Sequence, residues 1–406
     1  MPLIETQPDA VAQIYAQSLF DLAMQAGGQP RAEEVLAELE DIIELARSDR
    51  QFGEFLSSRI VATVAFFPPF FHFSGNVGQH IALRNLFAEG SFHGLSLWVG
   101  SRMYRGDDVY LLDLRPLDDL NTVGGGARYD FGQGTSLAAH VGLQRLDQPT
   151  QHQLVLADNP LGYGAVSVTR LDRPRLVASL KAKQQLAFSG VGVQLALYGE
   201  GHQLPAGVRR DTVTGDEQAL PSDWGVLVGG QLSVYQPGRF LRLWARHATG
   251  LAVYDPLSSP LTFANDRTTQ GARSTRVALA GALDHGRLGL MVGAYMDLVR
   301  DAGVSQVTAQ KYDEGAAVAR AQLNLHPNFG VATEASYQRR TYALLDAQGR
   351  LRSGQVVQWG LMPFFSPFGE GVFTRPQLRL VYAVSYRDDG ARSFYAAADP
   401  FAQRGV

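Results

Sequence analysis

From about residue 61 onward, the chain alternates apolar positions with small or polar positions at a period of two. In the stretch RLGLMVGAYMDL at 287–298, every even-numbered residue is apolar, whereas the odd-numbered residues include glycine, tyrosine, arginine and aspartate. Successive side chains of a β-strand point to opposite faces, so this pattern predicts a strand with one apolar and one mixed face. Similar stretches lie at 94–102, 135–143, 190–198, 224–234, 239–248, 274–284, 316–325, 328–338 and 377–387.

The length and spacing of these stretches favour a transmembrane barrel over a soluble β-sandwich, which remains the alternative. Strands of about 9–11 residues cross a bilayer, and the strands of a sandwich are usually shorter. Long polar segments such as 204–223 and 254–273 alternate with short turns at 284–287 and 326–328, as outer loops and inner turns do in outer-membrane barrels. The predicted fold is mainly β, an antiparallel transmembrane β-barrel of about 13–15 strands.

Residues 1–60 differ in composition and predict a small α-helical segment. They contain four arginines against eleven acidic residues, whereas residues 61–406 contain 32 Lys and Arg against 28 acidic residues. Apolar residues recur here at helical spacing. The predicted helices span 9–26, 31–46 and 49–56, and Gly27, Gly28 and Pro30 separate the first two. Two domains are therefore expected, an α-helical segment at 1–60 and a β region at 61–406.

Residue types that commonly serve in catalysis are present, but they do not occur at the spacing that an enzyme active site requires. The chain has no cysteine, which excludes disulfides and thiolate metal sites. The histidines show no metal-ligand spacing, and no serine-nucleophile motif occurs. Asp107 and Asp108 are adjacent, so on a strand their carboxylates point apart and cannot share a glycosidic bond. The sequence thus predicts no enzyme, cofactor or metal, and without a basic patch it predicts no nucleic-acid partner.

Two features of the sequence bear on its location. The most apolar run, 61–71, is too short for a transmembrane helix and contains Pro68 and Pro69. No basic segment followed by an apolar one opens the sequence, so no secretory leader is predicted. A cytoplasmic location is expected if the N-terminal part determines it.

Two longer stretches resemble the maltoporin (LamB) family of sugar porins. They are LWVGSRMYRGDDVYLLDLRPLDDLNTVGGGARYDFG at 97–132 and QWGLMPFFSPFGEGVFTRPQLRLVYAVSYRD at 358–388, and the resemblance covers about 75–406. It implies a porin-like homotrimer in the lipid of the bacterial outer membrane, which passes maltodextrin-like oligosaccharides by facilitated diffusion. Only a short region, 61–94, precedes the first stretch, and the chain ends without the family's terminal aromatic strand. An incomplete barrel is therefore expected, and whether it closes stays open.

The resemblance places the loop that narrows the pore at 101–123. Within it, donors and acceptors of both signs lie close together, and they are the predicted constriction residues for sugar: Arg102, Arg105, Asp107, Asp108, Tyr110 and Asp113. Sugars offer apolar faces to aromatic rings and hydroxyl edges to charged groups. A solvated charged loop is the alternative interpretation.

A second set of candidate residues lies in RFLRLWARH at 239–247. Alternation puts four side chains on one face, the predicted aromatic and ionic track of the lumen: Phe240, Arg242, Trp244 and Arg246. The alternative for Trp244 is a place in the aromatic girdle at the membrane interface.

The N-terminal part resembles a different family. The stretches YAQSLFDLA at 15–23 and FGEFLSSRI at 52–60, with an acidic helix between them, resemble the N-terminal domain of the ATP synthase delta (OSCP) subunit. That resemblance implies the N-terminus of the ATP synthase alpha subunit as a partner, and a stalk or assembly role as the alternative function. A hybrid reading frame without function is the third alternative.

Overall fold

The computed structural model forms two compact units, Met1–Gly100 and Ser101–Val406. It describes residues 24, 28–31, 33–37, 59–66, 81–117, 119–146, 150–160, 162, 164–211, 214–254, 268–302, 311–346, 348–395 and 397–404. Among those residues, no helix is both long enough and apolar enough to cross a membrane.

The N-terminal unit contains helical residues and three antiparallel strands. The strands are β1 (Arg59–Phe66), β2 (Ile81–Phe92) and β3 (Leu95–Arg105), the last of which runs on into the second unit. β1 pairs with β2, with Arg59 opposite Glu89 and Phe66 opposite Ile81. β3 follows β2 through a turn in which His93 and Gly94 have φ of 44° and 83°, the backbone that a tight hairpin requires.

The helical prediction for this unit is partly wrong. Residues 24, 28–31 and 33–37 are helical, and they include Gly28 and Pro30, which were expected to separate two helices. The predicted helix at 49–56 lies outside the described residues.

The C-terminal unit is mainly β and antiparallel, which confirms the predicted fold class. Its sheet follows the order β4–β5–β8–β9–β12–β13–β14–β15–β16–β17–β18, and both β19 and β20 pair with β18. Two hairpins, β6–β7 and β10–β11, stand apart from this sheet. The strands are β4 (Asp119–Gly132), β5 (Thr135–Gln144), β6 (His152–Asp158), β7 (Ala165–Asp172), β8 (Arg175–Phe188), β9 (Val191–Leu204), β10 (Gly207–Arg210), β11 (Glu217–Leu220), β12 (Asp223–Gln236), β13 (Arg239–Gly250), β14 (Arg273–His285), β15 (Leu288–Arg300), β16 (Tyr312–His326), β17 (Phe329–Leu345), β18 (Leu351–Phe365), β19 (Leu378–Arg379) and β20 (Tyr382–Arg387).

Short helices complete this unit. Two 3-10 turns, Tyr110–Leu112 and Leu251–Val253, lie between strands, and two single-turn α-helices, Asp389–Arg392 and Pro400–Gln403, follow β20. The side chain of Asp388 accepts a hydrogen bond from the Ala391 N–H and so caps the first of these helices.

Most connections between paired strands are short at one end of the sheet and long at the other; the exceptions are the connection 346–350 at the long end and the segment 366–377 at the short end. β14 and β15 are joined by 286–287, and β16 and β17 by 327–328, so both predicted turns are confirmed. β5 and β8, β9 and β12, β13 and β14, and β15 and β16 are joined by longer segments at the opposite end. We call these the short-turn end and the long-connection end.

Two sequence expectations about connections are wrong. The segment 204–223, expected to be loop, contains the β10–β11 hairpin, whose turn is held by Asp211: its N–H donates to Asp216 O (2.8 Å) and its carboxylate accepts from the Thr214 N–H (3.0 Å). The stretch 377–387, expected to be one strand, is interrupted between β19 and β20. Pro363 of β18 lies opposite the interruption and has no N–H to donate, although its carbonyl accepts from the Leu380 N–H (3.0 Å).

The sheet of the C-terminal unit has one buried face and one exposed face, as the alternation predicted. On β15, Leu290 is 43% exposed and its neighbour Met291 is 2% exposed. Even-numbered residues of β15 lie on the exposed face, and odd-numbered residues, among them Gly293, Tyr295 and Asp297, lie on the buried face. The exposed face is rich in leucine, valine and alanine, and the buried face carries most of the glycine and polar residues.

A buried polar cluster fixes the Leu251–Val253 turn to the buried face. The Arg175 guanidinium donates to the carbonyls of Leu251 and Tyr254, both at 2.8 Å, and lies 2.7 Å from Nδ1 of His202. Nε2 of His202 lies 2.9 Å from Glu200 Oε2. One arginine thus gives the Tyr254 carbonyl a donor and adds a second donor to the Leu251 carbonyl, which also accepts from the Tyr254 N–H (3.3 Å).

If the exposed face contacts lipid, a charge at its centre must be costly. Ala319→Arg, at the middle of β16, is expected to lower the free energy of unfolding by about 2–4 kcal/mol, because the guanidinium enters the bilayer midplane. Urea unfolding in lipid vesicles measures it. Leu325→Arg, on the same face near the end of the same strand, is the control, with an expected cost of about 0–1 kcal/mol. Equal costs for the two variants would contradict a lipid-facing surface.

Candidate functional site

The segment 106–117, between β3 and β4, lies against the buried face of the sheet; we call it the first covering segment. Its backbone folds on itself: the Val109 N–H donates to Leu114 O (2.7 Å) and the Leu112 N–H to Val109 O (2.8 Å). Asp113 closes the Tyr110–Leu112 turn in the left-handed region, at φ 48° and ψ 33°. A compact double turn therefore stands where the resemblance implied a loop that folds inward.

Apolar packing holds this segment to the strands. Val109 and Leu117 are buried in one cluster with Leu227, Trp244 and several alanines of β13 and β14. Two glycines on the buried face allow the covering segment to lie this close to the strands. A Cβ on Gly293 would lie 2.7 Å from Val109 Cγ1, and a Cβ on Gly229 would lie 2.6 Å from Leu117 Cδ2. Glycine on the buried face is therefore required for close contact with the segment.

A chain of hydrogen bonds holds the segment at Asp107. The Gln231 side-chain amide donates to Asp107 Oδ2 and to Ser233 Oγ, the latter at 2.7 Å, and its carbonyl oxygen accepts from Trp244 Nε1 (2.9 Å). On the other side of the carboxylate, the Arg242 guanidinium lies 3.5 Å from Asp107 Oδ1. Asp107 thus joins the covering segment to β12 and β13 through both an amide and a cation.

A second covering segment, 366–377 between β18 and β19, packs on the same face. Val372 is buried with Ala282 and Met291, and its N–H lies 3.2 Å from both carboxylate oxygens of Asp284. The Gln322 amide donates to Gly371 O (3.4 Å). The segment therefore has its own apolar and polar attachment to β14, β15 and β16.

The two covering segments meet over β13. The ring centre of Tyr110 lies 5.6 Å from that of Phe373, and the ring centre of Phe373 lies 5.8 Å from that of Phe240. The Arg375 guanidinium donates to the Tyr110 hydroxyl and lies 5.3 Å from that ring. The Arg242 guanidinium lies 4.4 Å from the centre of the Phe240 ring, within cation–π distance.

These side chains form one group, which we call the aromatic–arginine cluster. Its members are Asp107, Tyr110, Phe240, Arg242, Phe373 and Arg375. Tyr110 is 40% exposed and Phe373 is 43% exposed, so two of the three rings can contact a solute. Ring faces, two cations and a carboxylate are thus offered together at one place.

The predicted constriction residues do not all belong to this cluster. Asp107 and Tyr110 do. Asp108 and Asp113 lie 4.0 Å and 2.7 Å from the Arg115 guanidinium, at the far side of the double turn. Arg102 lies on β3, and the side chain of Arg105 lies outside the described residues.

The four track residues of β13 share the buried face, but they differ in access. Phe240 and Arg242 belong to the aromatic–arginine cluster, and Arg246 follows further along the strand. Trp244 is 2% exposed, in the cluster that contains Val109 and Leu117. It therefore lies neither in an aromatic girdle nor on an open lumen surface, and its indole N–H positions Gln231 instead.

Sequence reasoning missed Gln231, Phe373 and Arg375. Gln231 lies in a strand that alternates apolar and polar residues. A glutamine is an ordinary polar residue there, so the sequence does not indicate that it contacts Asp107. Phe373 and Arg375 lie in a stretch that carried the family resemblance, but their partner Tyr110 is 265 positions from Arg375. The resemblance of 358–388 to a sugar porin was the one available signal for them.

Residues 72–405 match the LamB porin family. The chain belongs to that family. Its members are porins, so the protein is a porin of the bacterial outer membrane, as predicted. The match begins at residue 72, and the resemblance of residues 1–60 to the ATP synthase delta subunit stays a prediction.

The solved structures that are similar to the chain include the following three porins. OccAB1 of Acinetobacter baumannii has 10% identity and a TM-score of 0.39, covering 79% of this chain and 75% of that one. OccK2 (OpdF) of Pseudomonas aeruginosa has 12% identity and a TM-score of 0.32, with coverage of 76% and 82%. OccK10 (OpdN) of the same species has 13% identity and a TM-score of 0.29, with coverage of 82% and 95%. Among curated protein sequences, none matches the chain.

Removing the indole N–H of Trp244 tests the hydrogen bonds that hold the first covering segment to the sheet at Asp107. Trp244→Phe is expected to lower the free energy of unfolding by about 1–3 kcal/mol, because it leaves the buried Gln231 carbonyl oxygen without a donor. Urea unfolding followed by circular dichroism measures it. Trp359→Phe, at a site 46% exposed on the opposite face, is the control, and a similar loss in that variant would count against the role of Trp244.

Filling the space at Gly293 tests the apolar attachment. Gly293→Leu is expected to displace the first covering segment, because overpacking costs about 1–3 kcal/mol. Amide hydrogen exchange at Val109 and Leu112 should then be about tenfold faster or more. Gly315→Leu is the control, since a Cβ at Gly315 has its nearest neighbour at 3.5 Å. Unchanged exchange in Gly293→Leu would show that Val109 does not hold the segment.

Proposed function

We propose that the protein is a sugar-selective porin that passes maltodextrin-like oligosaccharides across the outer membrane by facilitated diffusion. The observation that carries this proposal is the aromatic–arginine cluster, which combines accessible rings with cations and a carboxylate. Membership of the LamB porin family supports the channel, and the cluster supports the choice of sugar as its solute.

The chemistry of the cluster suits a sugar. The apolar face of a pyranose stacks on an aromatic ring, and Tyr110, Phe373 and Phe240 offer rings spaced 5.6 Å and 5.8 Å apart. Hydroxyl groups at the sugar edge exchange hydrogen bonds with charged donors and acceptors. Arg242, Arg375 and Asp107 supply both kinds beside the rings.

The arrangement also suits passage rather than retention. Conduction requires sites that are weak enough to release the solute. The rings of Tyr110 and Phe373 are only partly exposed, and the charged groups already bond within the protein: Arg242 to Asp107, and Arg375 to the Tyr110 hydroxyl. A sugar therefore exchanges one set of polar contacts for another and gains mainly ring stacking. As in the family it resembles, the working form proposed here is a homotrimer surrounded by outer-membrane lipid.

Conductance of planar bilayers tests the proposal. Maltohexaose at millimolar concentration is expected to block the KCl current of the wild-type protein. Phe240→Ala and Phe373→Ala should each weaken the block by about three- to tenfold, since each ring contributes about 0.5–1.5 kcal/mol of stacking.

Phe329→Ala removes an exposed ring on the opposite face of the sheet and is the matched control. It should leave both the current and the block unchanged. A KCl current that maltohexaose does not reduce would overturn sugar passage, while leaving the channel itself in place.

A further inference from the structure

The second covering segment and the strand that follows it place two arginines beside the rings of the aromatic–arginine cluster. Arg375 lies near the end of that segment and is exposed. Arg379 lies on β19 directly opposite Phe364, which is 5% exposed on the buried face. Residues that pair across two strands share a face, so the Arg379 side chain also lies on the buried face, where it is half-buried.

Uncharged groups hold the two guanidiniums in place. Arg375 donates to two carbonyls of its own segment, at 2.8 Å and 3.2 Å, and to the Tyr110 hydroxyl. Arg379 donates through Nε (3.1 Å) and Nη2 (2.5 Å) to the side-chain oxygen of Gln377. A guanidinium has five N–H donors. Both arginines therefore keep N–H groups for a further acceptor.

These two cations have no carboxylate of their own. Within the part of the chain that the structure describes, neither Arg375 nor Arg379 forms an ion pair with an acidic side chain. The charged groups that act on Arg379 are Arg320, Arg375 and the Glu334 carboxylate. Arg320 already binds that carboxylate twice, through Nε at 2.8 Å and Nη2 at 2.6 Å. Three guanidiniums thus share one carboxylate.

The other acidic groups around the covering segments are engaged elsewhere or exposed. Asp107 lies 3.5 Å from Arg242, and Asp284 accepts from an N–H of the second covering segment at 3.2 Å. The remaining carboxylates of the double turn lie on its far side, beside Arg115. Glu370 is exposed. The positive charge at Arg375 and Arg379 is therefore locally in excess.

The place of this charge relative to the rings indicates the kind of ligand. The Arg375 guanidinium lies 5.3 Å from the Tyr110 ring centre, and that ring centre lies 5.6 Å from the Phe373 ring centre. A sugar that stacks on either ring therefore has its edge near the arginines. Guanidinium groups bind a carboxylate through two parallel N–H···O bonds, which are stronger than bonds to a neutral hydroxyl. Arginines that line a pore also favour anions.

We propose that Arg375 and Arg379 form a subsite for a carboxylate carried by the sugar, so that the channel prefers acidic oligosaccharides to neutral ones of the same length. The inference rests on the proposed sugar passage and adds the charge of the solute to it. A partly exposed ion pair contributes only a factor of about two to five in affinity. The subsite is therefore weak enough to release its ligand, as conduction requires.

Block of the KCl current in planar bilayers tests the subsite with two matched sugars. They are maltohexaose and maltohexaose whose C6 hydroxyl groups have been oxidised to carboxylates. At one voltage and one ionic strength, the oxidised sugar is expected to block the wild-type current at about a five- to tenfold lower concentration, because two guanidiniums bind its carboxylates. Arg379→Gln should lower this preference by about two- to fivefold and change the maltohexaose block by less than about twofold.

Two further variants separate the charge of Arg379 from its place in the structure. Arg379→Lys keeps the cation and should keep most of the preference for the oxidised sugar. Arg239→Gln removes an arginine from the exposed face of β13, at the short-turn end, and is the matched control. It should keep the whole preference, because that face lies away from the rings.

Several results would overturn the inference. Equal block of the wild-type current by the two sugars would show that no carboxylate is recognised. The same loss of preference in Arg379→Gln and Arg239→Gln would indicate a general effect of charge. Weaker block by both sugars alike in Arg379→Gln, or full loss of preference in Arg379→Lys, would assign Arg379 a structural role.

Two more outcomes identify other causes. Displacement of the oxidised sugar by inorganic phosphate at the same concentration would identify a site for free anions and overturn the subsite. If neither sugar reduces the current, sugar passage itself fails and the subsite fails with it. If maltohexaose blocks and the oxidised sugar blocks no better, only the carboxylate subsite fails.

Discussion

The site depends on close contact between the first covering segment and a glycine-containing wall. Val109 and Leu117 approach the sheet at Gly293 and Gly229, where any side chain would meet them at less than 3 Å. This contact fixes the height of Asp107 above β12 and β13, and so allows its bonds to Gln231 and Arg242. Without it, Tyr110 would not reach Phe373, and the aromatic–arginine cluster would lose one of its walls.

The alternating sequence predicted the strands and their two faces because that information is local. A strand shows its faces by side-chain period alone, which is why the stretch at 287–298 and the turn before it were predicted correctly. The hairpin β10–β11 was missed because its strands have four residues each, too few to show a period. The break between β19 and β20 was missed because its cause, Pro363, lies on the neighbouring strand.

Contacts between distant segments could not be predicted in the same way. The sequence identified Asp107, Tyr110, Phe240 and Arg242 as candidates, partly through a family resemblance, but it did not show which of them meet. Trp244 shows the difficulty: alternation gave its face correctly, and only the packing of Val109 and Leu117 showed that this face is covered there. On the opposite face, Arg273 and Arg300 likewise become neighbours only through strand register.

The bond between Arg375 and Tyr110 joins parts of the chain that are 265 residues apart. Closing so large a loop costs entropy that is recovered only when the intervening strands are already in place. The chain between these two residues contains β4 to β18, so the contact between the two covering segments requires nearly the whole sheet to be paired. The aromatic–arginine cluster therefore depends on a completed sheet, because both covering segments must be in place to form it.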